Sequence, residues 1–482
     1  MGRRGAGFAQ PERAIADSAL SGLIACKEIQ AAFLGRLSLL LNRGGDMSTN
    51  LRLSFDPKKF LLETRADDVQ LVTNVIDQID SPNQSRTIVF HEEIGSGKTW
   101  LMLYLQREQL PKNSRVTSLY ISFSEAPPGF VAQEREYFVN PKNLELDTAP
   151  EGVARELIEW IGTQKVIQAA TSRAADLGDQ TGWLVSAIKD KFQDRILVLI
   201  LDSVFEVGDW TKLAKLENAL LAPLAALPHV VIILTGRGKL YPWESPYLRV
   251  NVVLPKGFTP LRPFSVPEVA AQITAQKPDA VLSAETIHKL GGGYPWVNYL
   301  LAQGKNQAEA TQIARQGLLS VIDAKIRQAT ARDLEALSVL DGFRESEMPK
   351  MWEADSGQEH TLENSEVQLR RKRLMDTYLM HWRDKRFELD DPLQRVLENY
   401  LRTNEPQRWQ KLQCRAYRLY QKWAAEFQQS RADFLRRAER HAQALRSENL
   451  DPEDCSAFES AAGSTAHQNN LVQSKNLVYS PQ

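Results

Sequence analysis

Two hydrophobic rhythms run along the chain. Between about residues 50 and 255, short apolar runs rich in Val and Ile alternate with stretches of helical period. That alternation is how a parallel sheet with crossover helices reads. It predicts strands over 87–90, 116–123, 196–201, 230–234 and 250–254, and helices over 100–109, 152–170, 184–192 and 213–227. The expected product is a three-layer α/β domain. Residues 124–150 are Pro-rich and acidic with little period, and read as a surface insertion.

Beyond residue 265 the strand rhythm fades. Helices are predicted over 267–276, 283–290, 295–303, 307–329 and 333–340. One hairpin, 378–382 with 387–389, follows them. A long charged and aromatic helical stretch covers 408–446, with a break near Gln429, and the polar segment from Ser447 onward reads as disordered.

Composition narrows the class. The 482 residues are 43% hydrophobic and 25% charged, an ordinary globular balance that excludes collagen-like, disordered and small disulfide-rich proteins. With 59 Lys plus Arg against 60 Asp plus Glu, any nucleic-acid contact has to come from a local patch. Cys26, Cys414 and Cys455 are far apart, which suggests neither a disulfide framework nor a zinc site and suits a reducing cytoplasm. No apolar run reaches the length of a membrane helix, because Lys27, Glu28 and Arg36 interrupt the nearest one. Three readings stay open for residues 1–46: an untranslated leader before a start at Met47, a twin-arginine or secretory signal, and an amphipathic docking helix.

The segment carrying chemistry is 86–106. An apolar strand runs into Gly95-Ser96-Gly97-Lys98-Thr99, and a helix opening at Trp100 follows. A phosphate chain needs converging backbone N–H groups and a helix N-terminus, a lysine for its outer oxygens and a hydroxyl for Mg²⁺. Lys98 and Thr99 fit the last two roles. The pattern G-x-x-x-x-G-K-[ST] has Glu92 at its first glycine, a position at the start of the loop where the change is tolerated. A second apolar run ends in Asp202, at the C-terminal end of a strand, where ligands bind in open α/β sheets. Asp202 is therefore the candidate for the Mg²⁺ shell. Ser203 follows it where a water-orienting acid is expected, and Glu206 is the substitute, so hydrolysis is expected to be slow or conditional. A third run ends in Thr235 and Arg237, and Arg237 is a candidate γ-phosphate sensor.

Together these segments resemble the STAND-class NTPases of the NB-ARC or AP-ATPase kind. The stretch from Thr64 to Leu71 is similar to the motif that precedes their first strand, with Arg65 retained. Leu261 to Ser265 followed by Glu268 resembles their strand-to-helix link, and Gly293-Tyr294-Pro295 their Gly-x-Pro motif. The resemblance implies ATP or ADP with Mg²⁺ as ligands, Arg65 and Pro295 beside the adenine, and a domain series. That series is a leader (1–46), a P-loop α/β domain (47–258), a helical lid-like domain (259–305), a winged helix (306–403), a helical arm (404–447) and a disordered tail (448–482). Where many relatives place a phosphate-contacting histidine, this chain has Asp390-Asp391-Pro392-Leu393, and an aspartate there is expected to repel phosphate.

The function implied is a cytoplasmic ATP-binding signal-transduction switch, with weak ATPase activity, that controls homo-oligomerisation or docking of a protein partner. Residues 369–386 carry seven Lys or Arg against two acids, with Arg370, Arg371, Lys372 and Arg373 clustered. That cluster keeps a second reading open, an AAA+-like winged-helix protein that binds DNA. A nucleotide-binding scaffold that never hydrolyses is the third.

Overall fold

In the sheet, alternate residues of each strand face opposite layers, and on the inner strands Ile196–Asp202 and Val230–Gly236 nearly every one is apolar. The computed structural model describes residue 56 and residues 59–81, 86–124, 131–139, 151–169, 175–207, 210–238, 240–249, 260–356, 362–383 and 385–456. Five parallel strands form the sheet: β1 (Thr87–His91), β2 (Val116–Ser122), β3 (Glu136–Phe138), β4 (Ile196–Asp202) and β5 (Val230–Gly236), in the order β1-β5-β4-β2-β3. Every strand of the pair β4–β5 is buried along its whole length. Leu197, Leu199 and Leu201 face a layer built from α3 (Gly152–Thr163), α4 (Leu177–Lys191) and α5 (Trp210–Leu216). Val198 and Ile200 face the opposite layer, which contains α1 (Ala66–Asp77) and α2 (Lys98–Tyr104). The period-2 alternation thus splits one apolar run between two cores. Truncating a residue such as Leu199, fully buried, to alanine would cost about 2–5 kcal/mol.

Four of the predicted strands are present, and the fifth, 250–254, lies outside the described residues, as do 1–46 and most of 124–150. The fifth observed strand, β3, falls within the stretch read as an insertion. It is three residues long and begins with Glu136, whose carboxylate is held by Arg107 at 2.6 Å, so it has no apolar alternation to read. It lies on the sheet edge, paired only with β2.

After the sheet come α7 (Val266–Gln276), α8 (Ala284–Gly291) and α9 (Pro295–Leu301). A capping box of Ser265 and Glu268 starts α7. The predicted helix 307–329 is two helices, α10 (Gln307–Leu319) and α11 (Ala324–Ser338), and the second absorbs most of the predicted 333–340. The side chain of Asp323 accepts the Lys325 N–H at 2.7 Å, so it caps a new helix where the apolar rhythm alone runs on. Next is α12 (Glu347–Ser356), absent from the sequence reading; Pro349 falls inside it. It lies in the first turn, where its missing N–H has no intrahelical partner to lose.

Then follow α13 (Asn364–Met375), the antiparallel hairpin β6 (Met380–Arg383) and β7 (Arg386–Leu389), and α14 (Asp391–Asn404). The long terminal helix is broken as the pattern predicts, into α15 (Pro406–Glu426) and α16 (Arg431–Arg446) with a tight turn over Gln428–Ser430. Two expectations fail here. The segment after Ser447 continues as an ordered turn and a short helix, Pro452–Ser456, before the described residues end. Cys414 and Cys455 form a disulfide that ties this segment to α15. The cysteines therefore no longer argue for a reducing compartment. No described helix is long and apolar enough to cross a membrane.

Candidate functional site: a phosphate loop covered by its own C-terminal module

The C-terminal ends of β1, β5 and β4 lie side by side, and the sequence places a loop or polar residue at each. From β1 the chain enters the loop Glu92–Gly97, and α2 starts at Lys98. Only Gly95 and Gly97 in this loop have left-handed backbone, with φ of 79° and 95°. Glycine is needed where the loop curls over its own amides, and not at position 92. That geometry explains why Glu92 is accommodated: its N–H simply extends the sheet ladder to the Gly236 carbonyl at 3.2 Å.

Lys98 is buried, and its Nζ donates to the carbonyls of Glu92 (2.8 Å) and Glu93 (2.9 Å) and to Ser96 Oγ (3.3 Å). Burial pulls its pKa below the usual lysine value, while the carboxylates of Glu206, Asp390 and Asp202 oppose that shift. Thr99 donates its hydroxyl to Asp202 Oδ2 at 2.8 Å. Asp202 is wholly buried; the same oxygen accepts Tyr120 OH at 2.8 Å, and Oδ1 accepts the Thr235 hydroxyl. Burial raises the Asp202 pKa, and these three donors work against the rise by bonding the charged form. Ser203, next in sequence, has a left-handed φ of 61° and gives its N–H to Thr235 Oγ1 at 3.1 Å.

Arg237 and Glu206 meet each other: Nε lies 3.0 Å from Oε2, and Nη1 donates to the Tyr378 carbonyl at 3.4 Å. Both act electrostatically on Lys98, so the pair stands at the same end of the site. Arg65 is also buried and bridges two segments, donating to Ser96 O (2.9 Å) and Arg262 O (3.0 Å) with its guanidinium over the Phe264 ring. Pro295 begins α9 close to the loop: a Cβ on Gly97 would lie 3.7 Å from Pro295 Cγ, and the Trp296 N–H reaches Gly95 O at 3.2 Å. Gly293 is obligatory for this approach, since a Cβ there would overlap the Phe264 carbonyl. Trp100 is partly buried on the first turn of α2. The predicted residues Arg65, Gly95 to Thr99, Asp202, Glu206, Arg237 and Pro295 are therefore brought together around one loop.

The family resemblance places the Asp390-Asp391 pair near the phosphates, but the sequence does not show its contact with the loop amide. Asp390, buried at the start of α14, accepts the Ile94 N–H on Oδ2 at 2.9 Å. Its other oxygen lies 3.3 Å from His381 Nδ1 on β6, and that contact is the leading cause raising the His381 pKa. Glu93 reciprocates, its Oε2 accepting the Asp391 N–H (3.2 Å) and Tyr294 OH (2.8 Å). Of the Asp390-Asp391 pair, the Asp391 carboxylate turns away to Arg395, while the Asp390 carboxylate sits on the loop. A histidine does stand by, supplied by the hairpin. The signal available in the sequence was an aspartate at the N-terminus of a predicted helix, which reads equally well as a cap.

The fold and site define a class: a parallel-sheet α/β protein with a P-loop of NTPase type. No family model matches the sequence, and no curated protein matches it. Among solved structures, the chain is similar to a Walker-type ATPase of Pyrococcus abyssi (14% identity, TM-score 0.42, covering 69% of this chain and 95% of that one). It is also similar to the ORC2 protein of Aeropyrum pernix in its ADP form (13%, 0.41, 71% and 94%). A third is a signal transduction ATPase with numerous domains, carrying a tetratricopeptide repeat sensor, from Pyrococcus horikoshii (12%, 0.29, 80% of this chain and 53% of that one). Likeness of this degree leaves the functional reading to the geometry of the site.

Proposed function

We propose that the chain is an ATP- and Mg²⁺-binding switch of STAND type, in which α10–α14 and the hairpin form a winged helix that docks on the phosphate loop. The supporting observation is the carboxylate of Asp390 on the Ile94 amide. A loop built to collect phosphate oxygens is occupied by an acid from a distant module, so an arriving phosphate and the docked module compete for the same donor. Nucleotide binding then biases docking, and the released module is free to meet a second copy or a partner protein.

In this reading Lys98 leaves the loop carbonyls for the β and γ phosphates, the amides of Gly95 to Lys98 cradle the chain, and Thr99 ligates Mg²⁺ with Asp202 in its outer shell. Arg65, Trp100 and Pro295 frame the adenine side. When bound, Mg²⁺ would offset charge on the phosphates. Glu206 would orient water and Arg237 would meet the γ-phosphate, but each first has to leave the other; slow or conditional hydrolysis follows. Three of the four clustered cations of the DNA-binding reading are engaged internally, which leaves Lys372 to it. Arg370 and Arg373 both pair with Asp333, Arg370 also with Glu366, and Arg371 with Glu345. The test is to denature purified protein and identify released nucleotide chromatographically. Adenine nucleotide from wild type and none from Lys98→Ala is expected; an empty wild type that also fails to bind added ATP overturns the proposal.

A further inference from the structure

Far from the phosphate loop, a cleft of about 90 Å³ opens where the hairpin meets the terminal helices. Four arginines line it: Arg386 from β7, and Arg436, Arg437 and Arg440 from α16. Spacing on α16 explains the convergence, since positions 436 and 440 share a helix face and 437 adjoins them. Tyr420 of α15 closes the inner side, and Asp341 stands at the rim.

The arginines have few acids to share. Asp433 alone serves three of them: Arg386 Nη2 at 2.8 Å, Arg436 Nη2 at 2.7 Å, and Arg437, whose Nε lies 3.3 Å away. That last approach lacks hydrogen-bond geometry, so the buried Arg437 Nε–H meets no acceptor in the structure. The rest of Arg437 is fixed by Gly342 O at 2.9 Å, Tyr420 OH at 3.2 Å and Glu347 at 3.4 Å. Arg440 has only Asp341, at 3.1 Å, and Asp341 is 78% exposed, so water screens the pair.

We infer that this cleft is a second ligand site, for a small phosphate-bearing anion held by Arg386, Arg436, Arg437 and Arg440. The guanidinium fork matches phosphate oxygens, and four forks converge on a volume suited to one tetrahedral oxyanion. The enclosed shape favours a phosphomonoester or inorganic phosphate over a duplex backbone, which needs an open, extended cationic face. Because the donors come from the hairpin and from the terminal helix, an occupant would tie the two together. The inference does not depend on the switch reading.

The test is equilibrium dialysis of the full chain against labelled inorganic phosphate and against glycerol 3-phosphate, with the two arms separating free phosphate from a monoester. Lys98→Ala removes the competing phosphate loop. Saturable binding that survives Lys98→Ala within about two-fold, and weakens at least ten-fold in Arg440→Gln or Arg436→Gln, is expected. Both arginines reach solvent, so circular dichroism should show their variants folded. Asp341→Asn, which removes the rim acid, should tighten binding, a gain that misfolding cannot mimic. Binding lost in Lys98→Ala but unchanged in Arg440→Gln overturns the inference. So does an absence of saturable binding, or binding only of duplex DNA that phosphate fails to displace.

Discussion

Two buried aspartates face the phosphate loop, and they differ in what holds them. Asp202 is the last residue of β4 and is satisfied by three hydroxyls, two from neighbouring strands and one from Thr99. Asp390 belongs to a module that reaches the loop from 296 residues along the chain, and its contacts are one loop amide and one histidine. The first is part of the sheet and cannot leave without breaking it. The second touches the loop through bonds that water or phosphate can replace. A permanent corner and a removable one at the same loop are what a nucleotide-gated contact requires.

The strongest test of this contrast is Asp202→Ala. It would leave the Tyr120, Thr235 and Thr99 hydroxyls without their acceptor, two of them in fully buried residues. Each stranded donor costs about 1–3 kcal/mol, so a loss of roughly 3 kcal/mol or more in unfolding free energy is expected. Urea unfolding at constant slope measures it, and Asp202→Asn, which keeps an acceptor, should lose about half as much. A loss below about 1 kcal/mol would mean that the corner is not structural.

Asp390→Ala should behave oppositely. Stability falls by only about 1 kcal/mol, as for one hydrogen bond, while ATP affinity rises because the Ile94 amide is freed. A roughly ten-fold tightening, about 1.4 kcal/mol, is expected in a titration with a fluorescent ATP analogue. Weaker ATP binding would make Asp390 a support of the loop and erase the contrast.

The legibility of the two corners follows the same division. Asp202, Thr99 and Lys98 could be named from the sequence because each is fixed by its own strand or loop: a buried run ending in an acid, and a glycine loop ending in Lys-Thr. The parallel strands β1, β2, β4 and β5 and the two-faced core follow from the same local rhythm; the order of the strands in the sheet does not. Asp390 was legible only through the family resemblance, as an acid near the phosphates; which amide it meets is tertiary, and nothing near it in sequence says so. The same holds for the Glu206–Arg237 pair and for Arg370 and Arg373 of α13, which pair with Asp333, two helices away in sequence. Strand β3 and the Cys414–Cys455 bridge were missed for want of pattern: three residues carry no period, and a spacing of 41 between two of three cysteines has no signature.

A smaller effect separates the loop from the module by pH. Burial raises the Glu92 carboxyl from its ordinary 4.5 to about 7. The folded loop therefore favours the protonated acid, a contribution fully present below about pH 4.5 and lost as pH rises through about 7. Glu92→Gln imitates the protonated form. Its melting temperature should match wild type near pH 4.5, exceed it increasingly as pH rises to about 7, and keep a constant lead above that. The His381–Asp390 contact works in the same direction, since the raised His381 pKa adds stability to the module that is fully present below about pH 6.5 and lost as pH rises through the raised value. His381→Gln should remove that part of the pH dependence and leave the Glu92 part intact.

The smallest effect belongs to α13. Arg371 and Glu345 meet at 2.7 Å with both side chains about a third or more exposed, so water screens the pair. Arg371→Gln should change unfolding free energy by about 0–1 kcal/mol, as surface ion pairs do. Its value lies in the second readout. If the module serves docking, the variant leaves any salt-dependent DNA binding of the chain unchanged; if the module reads DNA, losing one phosphate contact lowers the slope of log affinity against log salt by about 0.9. Parallel slopes in wild type and variant would keep α13 on the side of internal packing, and a shifted slope would place a second partner on the module that covers the phosphate loop.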